Sequence, residues 1–140
     1  LQAAVGLAQS ENLVKVLKKK KSIHENYINV FKNCEYASIL RSPSYSYNNN
    51  WMNVLILEKD IKLDIDKIVS YFKNNNIEIR PVWYPNHLQE PYASCQNFKI
   101  ENAMKLVRKS ICLPSSYNLS DTEIQKIFRT FIEYMEIPSS

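Results

Sequence analysis

The stretch SDTEIQKIFRTFIEYM, residues 120–135, carries the clearest helical pattern of the chain. Ser120 and Glu123 have the S-x-x-E spacing of a capping box, in which each side chain bonds a backbone N–H group at the helix start. Apolar residues then recur every three or four positions and form one continuous stripe: Ile124, Ile127, Phe128, Phe131 and Met135. The stretch predicts a helix over residues 120–136 that is buried through Ile124, Phe128 and Phe131 against a small sheet.

Helical patterns also occur in three upstream segments. Residues 1–31 predict one long helix, and because no capping residue precedes Leu1, this helix is expected to begin inside a longer chain. Asp64 is the predicted N-cap of a second helix, which the asparagines at 74–76 can end because asparagine tolerates the left-handed conformation. The spacing of the apolar residues predicts a third helix within residues 99–109.

Three short apolar segments between these helices predict strands. WMNVLIL (residues 51–57) is too short and too apolar for anything but a buried strand, and it follows a turn-rich loop at 41–50. Charged and apolar residues alternate in IEIRPVW (77–83), where Pro81 would confine the strand to a sheet edge. ICLP (111–114) is the third segment. The element order predicts an α+β fold, in which helices cover a small, mostly antiparallel sheet.

The composition is typical of one soluble globular domain. The 140 residues are 45% apolar and 23% charged, which is enough for a domain with its own core. The net charge of +4 comes largely from the run KVLKKKK (15–21), which we interpret as the solvated side of the first helix. His24, at the edge of that helix's apolar stripe, is predicted to be a packed or surface histidine. Three cysteines without a C-x-x-C pair favour a reducing cytoplasm, and no apolar run is long enough to span a membrane.

The loop RPVWYPNHLQEPY, residues 80–92, is stiff, aromatic and cationic. Its three prolines lower the entropy cost of holding one shape, and the side chains of Arg80 and His87 offer donors that suit an anionic or hydroxyl-rich ligand. A single glycine in the whole chain excludes a glycine-rich phosphate-binding loop. The alternative reading is a proline-stiffened crossover whose aromatic residues pack on the sheet: Trp83, Tyr84 and Tyr92.

Three stretches resemble the signature segments of the C-terminal half of sugar-nucleotide aminotransferases. They are LQAAVGLAQSENL (1–13), IEIRPVWYPNHLQEPY (77–92) and LPSSYNLSDTEI (113–124), in the order and spacing of that family. The family is the DegT/DnrJ/EryC1/StrS group of fold-type I enzymes, which depend on pyridoxal 5'-phosphate. The resemblance covers nearly the whole chain. It implies that residues 1–140 are the C-terminal small domain, and that residues 1–33 form a helix linking it to a large cofactor-binding domain outside this chain.

The resemblance also implies a reaction and its partners. Such enzymes are cytoplasmic homodimers that move an amino group from glutamate to a keto-sugar on a nucleoside diphosphate, in the synthesis of surface polysaccharide or glycan sugars. Their catalytic lysine and the residues that hold the cofactor lie in the large domain, so no catalytic, cofactor-binding or metal-binding residue is expected here, and the chain alone is expected to be inactive. The substrate-binding residues implied by the motif are Arg80, Trp83, Tyr84, His87 and Gln89.

This chain departs from the family pattern at two positions of the loop. Tyr84 stands where relatives often have a lysine or arginine, and Asn86 replaces a common leucine. One alternative function is a freestanding ligand-binding or dimerisation module without catalysis. Another is a nucleic-acid-binding domain that uses the lysines at 18–21 together with the aromatic residues. The second is disfavoured because the lysines and the aromatic loop belong to different elements, so neither nucleic acid nor membrane is expected as a partner.

Overall fold

The computed structural model describes residues 1–58, 61 and 64–137, and the remaining residues of the chain lie outside the described part. The elements of that part follow one another in this order: α1 (Gln2–Val30), β1 (Ala37–Ile39), β2 (Asn53–Leu57), α2 (Ile65–Asn74), β3 (Arg80–Pro81), two 3-10 turns (Asn86–Leu88 and Glu90–Tyr92), α3 (Glu101–Val107), β4 (Ser110–Leu113) and α4 (Asp121–Met135).

Strands β2 and β4 form the centre of a four-stranded antiparallel sheet with the order β1-β2-β4-β3. Leu55 of β2 lies opposite Ile39 on one side and Ile111 on the other, and all three belong to the buried core. Arg80 lies opposite Cys112, so its side chain is on the other face of the sheet. All four residues of β4 are buried. The predicted α+β fold with a small antiparallel sheet is confirmed.

The core lies between the sheet and three of the helices. Each helix contributes apolar residues at helical spacing: Ile23 and Tyr27 from α1, with Phe31 just beyond its end, Ile68 and Phe72 from α2, and Ile124, Ile127 and Phe131 from α4. Burying one such side chain stabilises the fold by about 1.5–3 kcal/mol. Residues 2–15 in the first half of α1 are exposed and take no part in this core.

Helix α4 begins with the predicted capping box. The backbone N–H of Glu123 donates to the Ser120 hydroxyl at 3.3 Å, and the backbone N–H of Ser120 donates to the Glu123 carboxylate at 2.7 Å. The predicted burial is confirmed for Ile124 and Phe131, neither of which is exposed to solvent. It is wrong in degree for Phe128, which is only half-buried and packs against the edge of the core, where its ring contacts that of Phe31.

Helix α2 also begins and ends as its sequence predicts. The Asp64 carboxylate accepts a hydrogen bond of 3.1 Å from the Lys67 backbone N–H, which leaves one fewer unpaired donor at the helix start. Asn76 has a φ angle of 58°, in the left-handed region, and its N–H donates to the Lys73 carbonyl at 3.0 Å. An asparagine thus reverses the chain at a position where glycine is more common.

The strands differ more from the prediction than the helices do. Strand β1 was not predicted, and β2 begins two residues later than expected, at Asn53. The predicted strand 77–83 pairs with β4 only at Arg80 and Pro81, because proline has no N–H group with which to continue the ladder. Its predicted place at a sheet edge is confirmed, and so is its alternation: the isoleucines at 77 and 79 are buried.

Candidate functional site

One cleft lies where β3 and β4 meet the start of α4. It has a volume of about 510 Å³, and we call it the strand-end cleft. Three cations and two carboxylates line it, together with serines of the turn that follows β4: Lys20, Arg80, Lys126, Glu78, Glu123, Ser115 and Ser116. A cleft of this size and polarity could hold a small ligand.

The charged groups of the strand-end cleft already have partners. The Arg80 guanidinium donates two hydrogen bonds, of 2.7 and 3.0 Å, to the Glu78 carboxylate. The Lys126 ammonium donates to the backbone carbonyl of Asn75 at 3.1 Å. Hydrogen bonds from the Ser120 side chain and backbone hold the pKa of the Glu123 carboxyl below its usual value. An anionic ligand would have to share these cations with the protein groups that occupy them.

Lys20 corrects the prediction that the whole lysine run is solvated. Its side chain is half-buried and its ammonium donates to the Ser115 backbone carbonyl, so it joins α1 to the turn after β4. Burial lowers the pKa of this ammonium from its ordinary value, since an interior site solvates a charge poorly. Lys18 and Lys21 are exposed, as predicted for the solvated side of the helix.

A chain of polar contacts connects α1, β2 and the same turn. The His24 ring donates through Nδ1 to the Asn53 side-chain carbonyl at 2.8 Å. The backbone N–H and the side-chain amide of Asn53 both donate to the Ser115 hydroxyl, at 3.1 and 2.9 Å, and that hydroxyl donates to the Leu113 carbonyl at 3.2 Å. Asn53 is fully buried, so these bonds offset the cost of desolvating it. His24 is therefore a packed histidine with a structural contact.

The second cleft lies between α1 and the loop at residues 41–49, and we call it the loop cleft. Its volume is about 890 Å³. Aromatic, amide, hydroxyl and aliphatic side chains line it, together with one arginine, Arg41, and with His24 of α1. The rings of Trp51 and Trp83 lie side by side there, with their centroids 5.5 Å apart and their planes inclined by 37°. Trp51 also lines the strand-end cleft, so it stands between the two.

The five predicted substrate-binding residues lie along one stretch but do not converge on one cleft. Arg80 lines the strand-end cleft and Trp83 lines the loop cleft, whereas Tyr84, His87 and Gln89 line neither. The Gln89 amide donates to the Tyr84 carbonyl at 2.9 Å and to the Asn86 side chain at 3.2 Å. These hydrogen bonds stabilise the turn that contains His87.

The alternative reading of this loop, in which its aromatic residues pack on the sheet, is wrong. Trp83 and Tyr84 keep 60% and 61% of their surface exposed, and Tyr92 keeps 48%. Sequence reasoning did not identify Trp51, Arg41 or Asn53. An asparagine inside an apolar strand was a usable signal for Asn53, whereas nothing local in the sequence distinguishes Trp51 and Arg41.

The described residues do not fit pyridoxal phosphate. That cofactor needs a lysine at its aldehyde, an acid at its ring nitrogen and donors for its phosphate. Lys20, whose pKa is lowered, is held by the Ser115 carbonyl, and Gly6 lies within the exposed part of α1 and not in a phosphate loop. The same part of the chain holds no group of three or more His, Cys, Asp or Glu side chains that could bind a metal ion. None of its helices combines the length and the apolarity that crossing a membrane requires.

Comparison with known proteins gives consistent matches. Residues 1–132 match the model of the DegT/DnrJ/EryC1/StrS aminotransferase family. GDP-perosamine synthase of Vibrio cholerae is 28% identical over 137 residues, which cover 96% of this chain and 36% of that protein. These matches confirm the resemblance found in the three sequence motifs. The chain spans about a third of the length of the curated relatives it matches.

Solved structures share the fold. PseC of Helicobacter pylori, an aminotransferase involved in the biosynthesis of pseudoaminic acid, superposes with a TM-score of 0.85 at 18% identity, over 96% of this chain and 37% of PseC. The Escherichia coli GDP-4-keto-6-deoxy-D-mannose-3-dehydratase, solved with bound hydrated PLP, superposes with a TM-score of 0.77 at 17% identity, over 91% of this chain and 33% of the dehydratase.

Proposed function

The chain belongs to the DegT/DnrJ/EryC1/StrS aminotransferase family, and from this we propose that it is the small, C-terminal domain of an enzyme that aminates a keto-sugar carried on a nucleoside diphosphate. The observation that carries the proposal is the family match over residues 1–132, with a relative that makes GDP-perosamine. In this proposal, the amino donor is glutamate and the enzyme is a cytoplasmic homodimer in the synthesis of surface polysaccharide or glycan sugars.

The cofactor of the proposed reaction is pyridoxal phosphate, bound by residues outside this chain. Support comes from the poor fit of the described residues to the cofactor and from the share of each relative that the chain spans. Residues 1–33 would then be the helix that links the two domains. The exposure of residues 2–15 supports this role, because half of a long helix has no partner within the described part.

The role we propose for the 80–92 loop is to bind the substrate. Arg80 would bind an anionic group, at the cost of loosening its pair with Glu78, and Trp83 and Tyr84 would offer exposed rings. His87 sits on a turn whose shape the Gln89 hydrogen bonds support, which lowers the entropy cost of holding its imidazole in place. Gln89 therefore acts on the substrate through His87 and through the shape of the turn.

The test is glutamate-dependent amination of GDP- and dTDP-linked 4-keto-sugars by the complete enzyme that carries this domain. Arg80→Ala and His87→Ala should each lower kcat/KM by about tenfold to a hundredfold, as loss of a charged or polar substrate contact of about 1.4–2.7 kcal/mol would. The absorbance of bound cofactor should not change. Arg129→Ala, at an exposed arginine of α4 outside both clefts, is the matched control.

Two outcomes would overturn the proposal. One is that both variants have unchanged kinetics, which would show that the loop does not contact the substrate. The other is loss of water from the sugar without incorporation of an amine. A dehydratase that acts on GDP-4-keto-6-deoxy-D-mannose has this fold, so mass spectrometry of the product should follow both reactions.

A further inference from the structure

The two clefts differ in charge. Glu78 and Glu123 line the strand-end cleft, whereas the lining of the loop cleft contains no acidic side chain. The loop cleft instead contains Arg41, whose guanidinium makes none of the hydrogen bonds or ion pairs found among the described side chains. A guanidinium without a carboxylate partner suits a phosphate, which it can bind through two parallel hydrogen bonds.

The wall of the loop cleft is aromatic and exposed. Trp51 and Trp83 are the only tryptophans in the chain, and they keep 63% and 60% of their surface accessible although they contact each other. Tyr47 lines the same cleft and is also exposed. Large flat rings that remain open to solvent beside a cavity suit a ligand that is itself flat, because a nucleobase stacks on an aromatic side chain without needing a particular hydrogen-bond pattern.

The loop that covers this cleft has a fixed shape. The Asn48 side-chain carbonyl accepts the Asn50 backbone N–H at 2.8 Å, and the Asn49 side-chain carbonyl accepts the Trp51 backbone N–H at 3.0 Å. Asn50 has a φ angle of 50°, which turns the chain so that Trp51 meets Trp83. These bonds place Trp51 before any ligand arrives, so little entropy is lost when one binds.

We propose that the loop cleft binds the nucleoside diphosphate part of the substrate, with the base on Trp51 and Trp83 and the phosphates at Arg41. The volume of about 890 Å³ accommodates such a group. Trp51 and Arg41 are then determinants of nucleotide affinity. The inference rests on the proposed function for its substrate class, and it adds the residues that recognise the nucleotide and the cleft that receives it.

The two tryptophans also provide the test, because all tryptophan fluorescence of the 140-residue chain comes from this pair. Titration with GDP and with dTDP should quench the fluorescence and saturate. Trp51→Ala should weaken GDP binding by about tenfold through lost stacking. Arg41→Ala should weaken GDP binding by a similar factor but leave the weaker binding of guanosine unchanged, since guanosine has no phosphate.

Arg129→Ala is the control for charge, and Phe98→Ala, at an exposed ring outside the lining of the loop cleft, is the control for an aromatic side chain. Circular dichroism should show that all variants stay folded. The inference is overturned if no nucleoside diphosphate gives saturable quenching, or if Arg41→Ala binds GDP as the unchanged chain does. It is also overturned if the tryptophans prove inaccessible because a second copy of the chain covers them.

Failure of this inference about the loop cleft can be distinguished from failure of the proposed function. Nucleotide binding that depends on Trp51 and Arg41, without amination by the complete enzyme, would leave the inference standing and overturn the aminotransferase proposal. If the complete enzyme aminates the sugar and neither Trp51→Ala nor Arg41→Ala affects that amination, the inference is overturned and the aminotransferase proposal stands.

Discussion

The Tyr27 hydroxyl donates a hydrogen bond of 2.9 Å to the backbone carbonyl of Pro114, which lies 87 residues further along the chain. Tyr27 is fully buried on α1, one helical turn after His24 and two after Lys20. Lys20 reaches the next carbonyl, that of Ser115. One helix thus positions two consecutive peptide groups of the turn that lines the strand-end cleft, so the geometry of this cleft depends on α1.

Tyr27→Phe should lower the free energy of unfolding by about 1–3 kcal/mol, because it leaves the Pro114 carbonyl without its donor while keeping the ring in the core. Urea unfolding followed by circular dichroism measures the loss. Tyr45→Phe, at an exposed tyrosine of the 41–49 loop, should change nothing. Equal stability of the Tyr27 variant and the unchanged chain would contradict a stabilising role for this bond.

Stability should fall at alkaline pH. Burial raises the pKa of the Tyr27 hydroxyl, and the charge of Glu123 raises it further. The folded chain therefore keeps a proton that the unfolded chain loses near about pH 10, so the contribution of Tyr27 is fully present below that pH and declines above it. Burial, and then the charge of Asp64, also raise the pKa of Tyr134. Between neutral and strongly alkaline pH, the free energy of unfolding should decline less steeply in Tyr27→Phe than in the unchanged chain. Equal slopes in the two proteins would count against the prediction.

The bond between His24 and Asn53 should appear as coupling in a double-mutant cycle. His24→Ala, Asn53→Ala and the double variant should give a coupling free energy of about 0.5 kcal/mol or more, because the two side chains share a partly buried hydrogen bond. Asn53→Ala alone should cost about 1–3 kcal/mol, because it leaves the His24 ring without its partner and removes one of the two hydrogen bonds that the Ser115 hydroxyl accepts. Asn118→Ala, at an exposed asparagine, is the control. If the losses in the free energy of unfolding of the two single variants add up to that of the double variant, the contact does not contribute to stability.

Two phenylalanines of α4 should differ in their contribution to stability. Phe131→Ala should cost about 3–5 kcal/mol, since its ring is completely buried. Phe128→Ala should cost about 1–2 kcal/mol, because its ring is half-buried and loses mainly its edge-to-face contact with Phe31, at 5.0 Å. Thermal or urea unfolding of both variants provides the comparison. A larger loss at Phe128 than at Phe131 would contradict the observed packing.

The 140-residue chain mixed with pyridoxal phosphate should form only weak adducts spread over several lysines. An exposed lysine is protonated at neutral pH and does not attack an aldehyde efficiently, and Lys20 is held by the Ser115 carbonyl. Borohydride trapping followed by peptide mass spectrometry counts the adducts, and Lys20→Ala should leave their total nearly unchanged. A stoichiometric adduct at a single lysine would show that this chain binds the cofactor itself.

The helices could be predicted because their signals are local. The Ser120 and Asp64 caps and the apolar stripes that follow them lie within one or two turns of sequence. Phe128 shows the limit of this reasoning. It belongs to the stripe by spacing, but how far it is buried depends on where the helix rests on the sheet, which the spacing does not contain.

Strands and clefts depend on partners that are distant in the sequence. β1 has three residues and no clear pattern, and it exists because it pairs with β2. The contact between Trp51 and Trp83 joins two loops, as the contact between His24 and Asn53 joins a helix to a strand. The family motifs led to the 80–92 loop, but they could not show that its residues divide between two clefts.

The sheet order places β4 between β2 and β3, although α2, β3 and α3 all come between β2 and β4 in the chain. As the protein leaves the ribosome, strands β1 and β2 emerge before β4. The edge of β2 that will pair with β4 therefore has no partner at that time. Until β4 has been synthesised, that edge can pair with another nascent chain. The period of greatest aggregation risk is therefore the time needed to translate residues 58–113. Slow codons placed directly after β2 should lower the soluble yield, whereas the same codons placed after β4 should not.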